Sequence, residues 1–65
     1  MKIKITKTTV TWRKNKKLKR DTWRDDKILD NIKEVENYRK EIYKDYGNPE
    51  YEDVKVRFEY EEIEL

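Results

Sequence analysis

The chain has 65 residues, 49% charged and 34% hydrophobic, with 17 Lys plus Arg against 15 Asp plus Glu for a net charge of +2. Histidine, cysteine, alanine, serine and glutamine are absent. That excludes a disulfide framework, a thiolate metal site and the usual Ser-His or Cys-His nucleophile pairs, and the length suits a single domain over 1–65.

Residues 2–12 read as a strand. Ile3 and Ile5 alternate with Lys2, Lys4 and Thr6, and then Thr8, Val10 and Trp12 continue one residue out of phase. A one-residue slip turns every later side chain to the other face, so a bulge or bend is expected near Lys7–Thr8. The β-branched Thr6, Thr8, Thr9 and Thr11 suit a strand. Arg13-Lys14-Asn15-Lys16 reads as a turn in which Asn15 tolerates the left-handed region. A second strand follows over about 17–23.

A helix is expected over about 25–46. Ile28, Ile32, Val35, Ile42 and Tyr46 recur at helical spacing, and Leu29, Tyr38 and Tyr43 widen the stripe. Asp21, Thr22 and Asp25 are candidate N-caps, and Glu36 and Lys40 form a correctly ordered i,i+4 pair. Gly47, the sole glycine, sits where a left-handed residue would close the helix, and Pro49 follows as a stop. Residues 52–65 read as the last strand. Val54, Val56, Phe58 and Tyr60 share one face, with Lys55, Arg57, Glu59 and Glu61 opposite. A second bulge near Glu61–Glu62 would bring Ile63 and Leu65 into phase.

The expected fold is therefore α+β: a small two-layer β-β-α-β sandwich with one helix packed on a three-stranded sheet. A right-handed crossover would lay the last strand beside the first and parallel to it, similar in topology alone to β-grasp arrangements. Leu, Ile, Val and Phe total 14 of the 65 residues, so the core is thin and leans on aromatics. A free strand edge would allow a homo-oligomer to thicken it.

Charge is unevenly spread. Residues 1–24 hold ten basic side chains and one acid, whereas residues 47–65 hold two basic and seven acidic. The tripeptide Thr-Trp-Arg occurs at 11–13 and again at 22–24, flanking a basic turn. Cations neutralise phosphates and aromatic rings stack on bases. The candidate nucleic-acid-binding set is therefore Trp12, Arg13, Lys14, Lys16, Lys17, Lys19, Arg20, Trp23 and Arg24. The opposing reading makes both tryptophans core residues and the lysines solubilising.

A protein partner is the alternative, with the chain acting as an inhibitor or adaptor. It would bind through the acidic last strand (Glu50, Glu52, Asp53, Glu59, Glu61, Glu62 and Glu64) and through Tyr38, Tyr43, Tyr46, Tyr51 and Tyr60. If the acidic strand lies beside the basic first strand, cross-strand pairing uses up part of both surfaces. An engineered chain with no natural function is a third reading. The lack of alanine with abundant Lys, Ile, Asn, Asp, Glu and Tyr is instead the signature of an AT-rich genome, as in a phage or mobile element of a low-GC bacterium.

No catalytic residue, metal site or cofactor is assigned. The neighbours Asp25–Asp26 and Glu61–Glu62 lack the cleft that paired catalytic acids need. Asp21, Asp25, Asp26 and Asp30 offer hard-cation ligands, but helix capping accounts for them without a metal. There is no apolar run of membrane-spanning length and no apolar signal segment, so the expected setting is cytoplasmic, away from membranes.

Overall fold

The computed structural model describes residues 2–64. The alternating first part of the chain forms two strands of equal length. Strand β1 (Lys2–Lys14) and strand β2 (Lys17–Leu29) pair antiparallel from Lys14↔Lys17 to Ile3↔Leu29. The turn between them is Asn15-Lys16, with φ values of 52° and 62°. Two successive positive φ angles give the type I′ turn, whose twist matches that of the strands it joins.

Helix α1 (Ile32–Asp45) then returns the chain to the hairpin end, and β3 (Glu52–Ile63) pairs antiparallel with β1 on its other side. The sheet order is β2-β1-β3. The β-β-α-β order and the α+β class are those expected. The last strand does lie beside the first, but antiparallel rather than parallel. Because α1 ends at the hairpin end of the sheet, β3 has only the opposite direction in which to run.

The helix begins at Ile32 rather than near residue 25. Ile28 and Leu29 fit a strand alternation as well as a helical stripe, and β1 offers pairing partners down to Ile3. The N-cap is Asn31. Its Oδ1 accepts the Glu34 N–H at 3.0 Å, and Glu34 Oε2 accepts the Asp30 N–H at 2.7 Å. This is a capping box whose return bond lands one residue early. Asp21, Thr22 and Asp25 lie in β2 and cap nothing. Gly47 does not take a positive φ. A Cβ there would sit 3.2 Å from the Lys44 carbonyl oxygen, so the glycine serves a close backbone approach after the helix.

The expected shift near Lys7–Thr8 falls between Ile5 and Lys7. In that interval β1 has Thr6, β2 has Asp25 and Asp26, and β3 has no residue. The slip keeps Ile3, Ile5, Thr8, Val10 and Trp12 all on the helix side. Near Glu61–Glu62 there is no bulge, and pairing runs unbroken from Tyr60 to Ile63. The irregularity in β3 lies opposite Trp12 instead, where Asp53 takes φ 52°. Ile63 thus pairs with Lys2 on the face away from the helix. Leu65 lies outside the described residues.

The core has two parts. Ile3, Ile5, Leu29 and Val35 form one, and Val10, Trp12, Ile42 and Val56 the other, with Tyr38 and Phe58 packed against both. Trp12 packs on Tyr46 and Tyr51, with ring centroids 5.2 and 5.4 Å away. Thr8 is fully buried, and its hydroxyl donates to Asp25, which also accepts from the Tyr38 hydroxyl at 2.6 Å. A helix of 14 residues is about 21 Å long, whereas the molecule extends 45 Å. The helix therefore ends above Trp12, and the basic hairpin projects beyond it.

Candidate functional site

The pleat sorts the basic residues of the hairpin onto two faces, since successive side chains of a strand point opposite ways. Trp12 and Trp23 face the helix. Trp12 is 8% exposed, and Trp23 is half-buried against the cluster around Val10 and Ile42. Lys19 pairs with Trp12 and so lies on the helix side. Lys14 also leans that way and pairs with Glu50 at 3.1 Å. Lys16 sits in the turn, and Lys17 is exposed beside it. Arg13, Arg20 and Arg24 point to the open face. The sequence-predicted set is thus one stretch of chain but not one surface, and its two aromatic members lie on the face away from its arginines.

The open face gathers a different set. Arg20 and Lys55 flank Thr11, and Thr22 and Arg57 flank Thr9. Arg24 and Glu59 flank Lys7, while Leu18 and Glu52 flank Arg13. A shallow trough runs between these rows, lined by Thr9, Thr11, Arg13, Arg20, Lys55 and Arg57, with Leu18 and Asp53 at its rim. Lys7, Lys55 and Arg57 are absent from the hairpin set. The alternation of β3 already placed Lys55 and Arg57 opposite the apolar residues, but only strand order brings them beside Arg20.

Ion pairs engage the lysines at the far end of β1 and Lys14 beside the turn, but none of the open-face cations between Lys7 and Arg13. Among the described residues there are four ion pairs: Lys2–Asp30 at 3.0 Å, Lys4–Asp26 at 3.6 Å, Lys14–Glu50 at 3.1 Å and Arg39–Glu36 at 3.6 Å. Lys7, Arg13, Arg20, Arg24, Lys55 and Arg57 take part in none of them. The basic first strand and the acidic last strand are adjacent, yet β1 draws its partners mainly from the end of β2 and from the loop before β3.

Two acids of β2 are held by hydroxyl groups on the helix side. Asp21 accepts from the Tyr46 hydroxyl at 2.7 Å, and Asp25 from Tyr38 and Thr8. Burial, and then the Asp21 carboxylate beside it, pushes the Tyr46 hydroxyl up to about 12. Burial, and then Asp25, raises Tyr38 as well. Asp21 and Asp25 face the helix, whereas Asp26 and Asp30 reach Lys4 and Lys2. Among the described residues no group of three or more acids, His or Cys is placed to hold a metal ion.

The tyrosines divide in the same way. Tyr38, Tyr46 and Tyr51 are packed in or against the core, which leaves Tyr43 and Tyr60 exposed. Arg39 lies over the Phe58 ring and donates to the Val56 carbonyl at 3.2 Å, covering part of the outer edge of β3. Among the described residues no helix is long and apolar enough to cross a membrane. No protein-family model, curated protein or solved structure matches the chain.

Proposed function

We propose that the chain is a small non-catalytic module that binds nucleic acid on the open face of its sheet and along the projecting hairpin. One observation carries this reading. Six cations, Lys7, Arg13, Arg20, Arg24, Lys55 and Arg57, share one sheet face and form no ion pair there. These six cations share the face with the carboxylates of Glu52, Asp53 and Glu59, and the positive excess suits a ligand with repeated negative charge, since phosphate contacts release condensed counterions. The hairpin adds Lys16, Lys17 and Lys19 at the same end. The two tryptophans drop out of the binding set, and Lys7, Lys55 and Arg57 enter it.

The test is fluorescence anisotropy of an end-labelled oligonucleotide with the full chain, at about 50 mM and about 200 mM salt. Saturable binding at the lower salt, weakened at least about tenfold at the higher, is the expected result. No binding at the lower salt, by protein whose circular dichroism shows it folded, overturns the reading.

A further inference from the structure

We infer that the trough on the open face seats one phosphodiester backbone of a nucleic-acid duplex, lying along β1. This rests on the nucleic-acid reading above and narrows its ligand. The central strand contributes the short side chains Thr9 and Thr11, with the long Lys7 and Arg13 at either end of that floor, and Thr22 lies beside Thr9 on β2. The outer strands contribute flanking cations, Arg20 on one side and Lys55 and Arg57 on the other. Neighbouring strands stand about 4.8 Å apart, so the backbones carrying Arg20 and Lys55 are about 10 Å apart across Thr11. A channel with hydroxyls on its floor and cations on both walls matches a ridge of phosphates. Hydroxyl donors and guanidinium forks are the groups that bond phosphate oxygens and fix a protein's register on a backbone.

The choice of duplex over single strand comes from what the face lacks. Proteins that prefer single strands gain from stacking bases on aromatic rings. Trp12 and Trp23 lie on the helix side, with Phe58 and Tyr60 opposite the inward-facing Thr8 and Ile5, and the other tyrosines are on the helix or the loop after it. The open face therefore presents no ring. A duplex keeps its own stacking and presents about twice the phosphate charge per unit length. Contacts through the backbone carry no sequence information, so the binding is sequence-tolerant. Asp53, held at φ 52°, is the carboxylate among the residues lining the trough and opposes such a ligand.

The experiment uses the full chain with a labelled duplex of about 20 base pairs, longer than the 45 Å molecule at 3.4 Å per pair, and with each of its single strands. Three variants are compared. Arg20→Glu with Arg57→Glu reverses the trough walls, Lys17→Glu with Lys19→Glu reverses an equal charge off the open face, and Asp53→Asn removes the opposing carboxylate. All five side chains are exposed, and circular dichroism confirms folding. Expected are duplex binding at least about tenfold tighter than single-strand binding, a loss of more than about tenfold in the trough pair but only a few-fold in the hairpin pair, and a gain of about twofold or more in Asp53→Asn. If neither oligonucleotide binds the unaltered chain at low salt, the nucleic-acid reading fails and this inference with it. If binding occurs but single strands bind as well as duplex, or the two charge-reversed pairs lose equally, the trough inference alone is overturned.

Discussion

Trp12 and Arg13 are neighbours in sequence and lie on opposite faces of the sheet. Trp12 is packed against Tyr46 and Tyr51 beneath the end of the helix, and Arg13 is exposed on the open face. Trp23 and Arg24 repeat the relationship on β2. Both copies of Thr-Trp-Arg thus read outward, inward, outward. The repeated tripeptide records a strand period of two, and it separates ring from cation where a stacking site would need them together.

The tryptophans should therefore be silent reporters. Titration with a duplex is expected to raise the anisotropy of a labelled oligonucleotide while leaving the Trp emission maximum and intensity nearly constant. Saturable quenching of more than about half of the emission, as base stacking on an exposed ring produces, would contradict the placement of both rings on the helix side.

Trp12→Ala is expected to unfold the chain. Truncating a buried Trp costs about 3–5 kcal/mol, and a core of this size supplies only about 3–5 kcal/mol in total. Trp12→Phe should keep the fold with a lower Tm, because a ring still meets Tyr46 and Tyr51. Thermal melts followed by circular dichroism decide this, and a cooperative transition in Trp12→Ala close to that of the parent would show that Trp12 is dispensable.

Lys16→Gly is expected to stabilise the hairpin. Lys16 sits at φ 62°, a region that costs an L-residue with a β-carbon about 1–2 kcal/mol. Glycine takes the same conformation without that cost but gives back about 0.5–1 kcal/mol through its freer unfolded chain. The net gain should be about 0.5 kcal/mol or slightly more, and Asn-Gly is the preferred pair for this turn. A lower urea midpoint for Lys16→Gly would refute the type I′ assignment.

Stability should fall in alkali, and Tyr46 should contribute to the fall. Its hydroxyl is raised from 10.0 to about 12, so the folded chain keeps a proton that the unfolded chain releases above about pH 10. The unfolded state then binds fewer protons, and unfolding is favoured as pH rises. The contribution is whole below about pH 10 and is lost between about 10 and 12. Tyr46→Phe has no such proton. Lysine titration affects both proteins, so the difference between their urea midpoints isolates the group. That difference should shrink from neutral pH to about pH 11, and a difference that widens would reverse the assigned sign.

The hairpin, the helix and the last strand are legible from local chemistry. Ile3 and Ile5 against Thr8, Val10 and Trp12 demand a slip in β1, since otherwise half the apolar set faces water. Asn15 marks the turn because it tolerates a positive φ. The helix start is ambiguous in the sequence because Ile28 and Leu29 satisfy two periods at once. The better local signal is Asn31 followed three residues later by Glu34, a capping box immediately before Ile32. In β3, Ile63 looks displaced from the apolar face only if it belongs in the core. It faces away from the helix instead, and no bulge is needed.

By itself the amino-acid order determined which residues alternate, where the chain turns, and that positive charge is concentrated in its first third. Those are properties of near neighbours, written in a period of two or of 3.6. Only the tertiary structure decided the direction of β3, which follows from where α1 ends. From that direction came the pairing of Arg20 and Lys55 across Thr11, residues 35 positions apart, whereas the ion pairs of Lys2 and Lys4 with Asp30 and Asp26 follow from the register of the β1–β2 hairpin. Which cations remain unneutralised depends on strand order and register, and these are set by burying one face of the sheet beneath a helix about half its length.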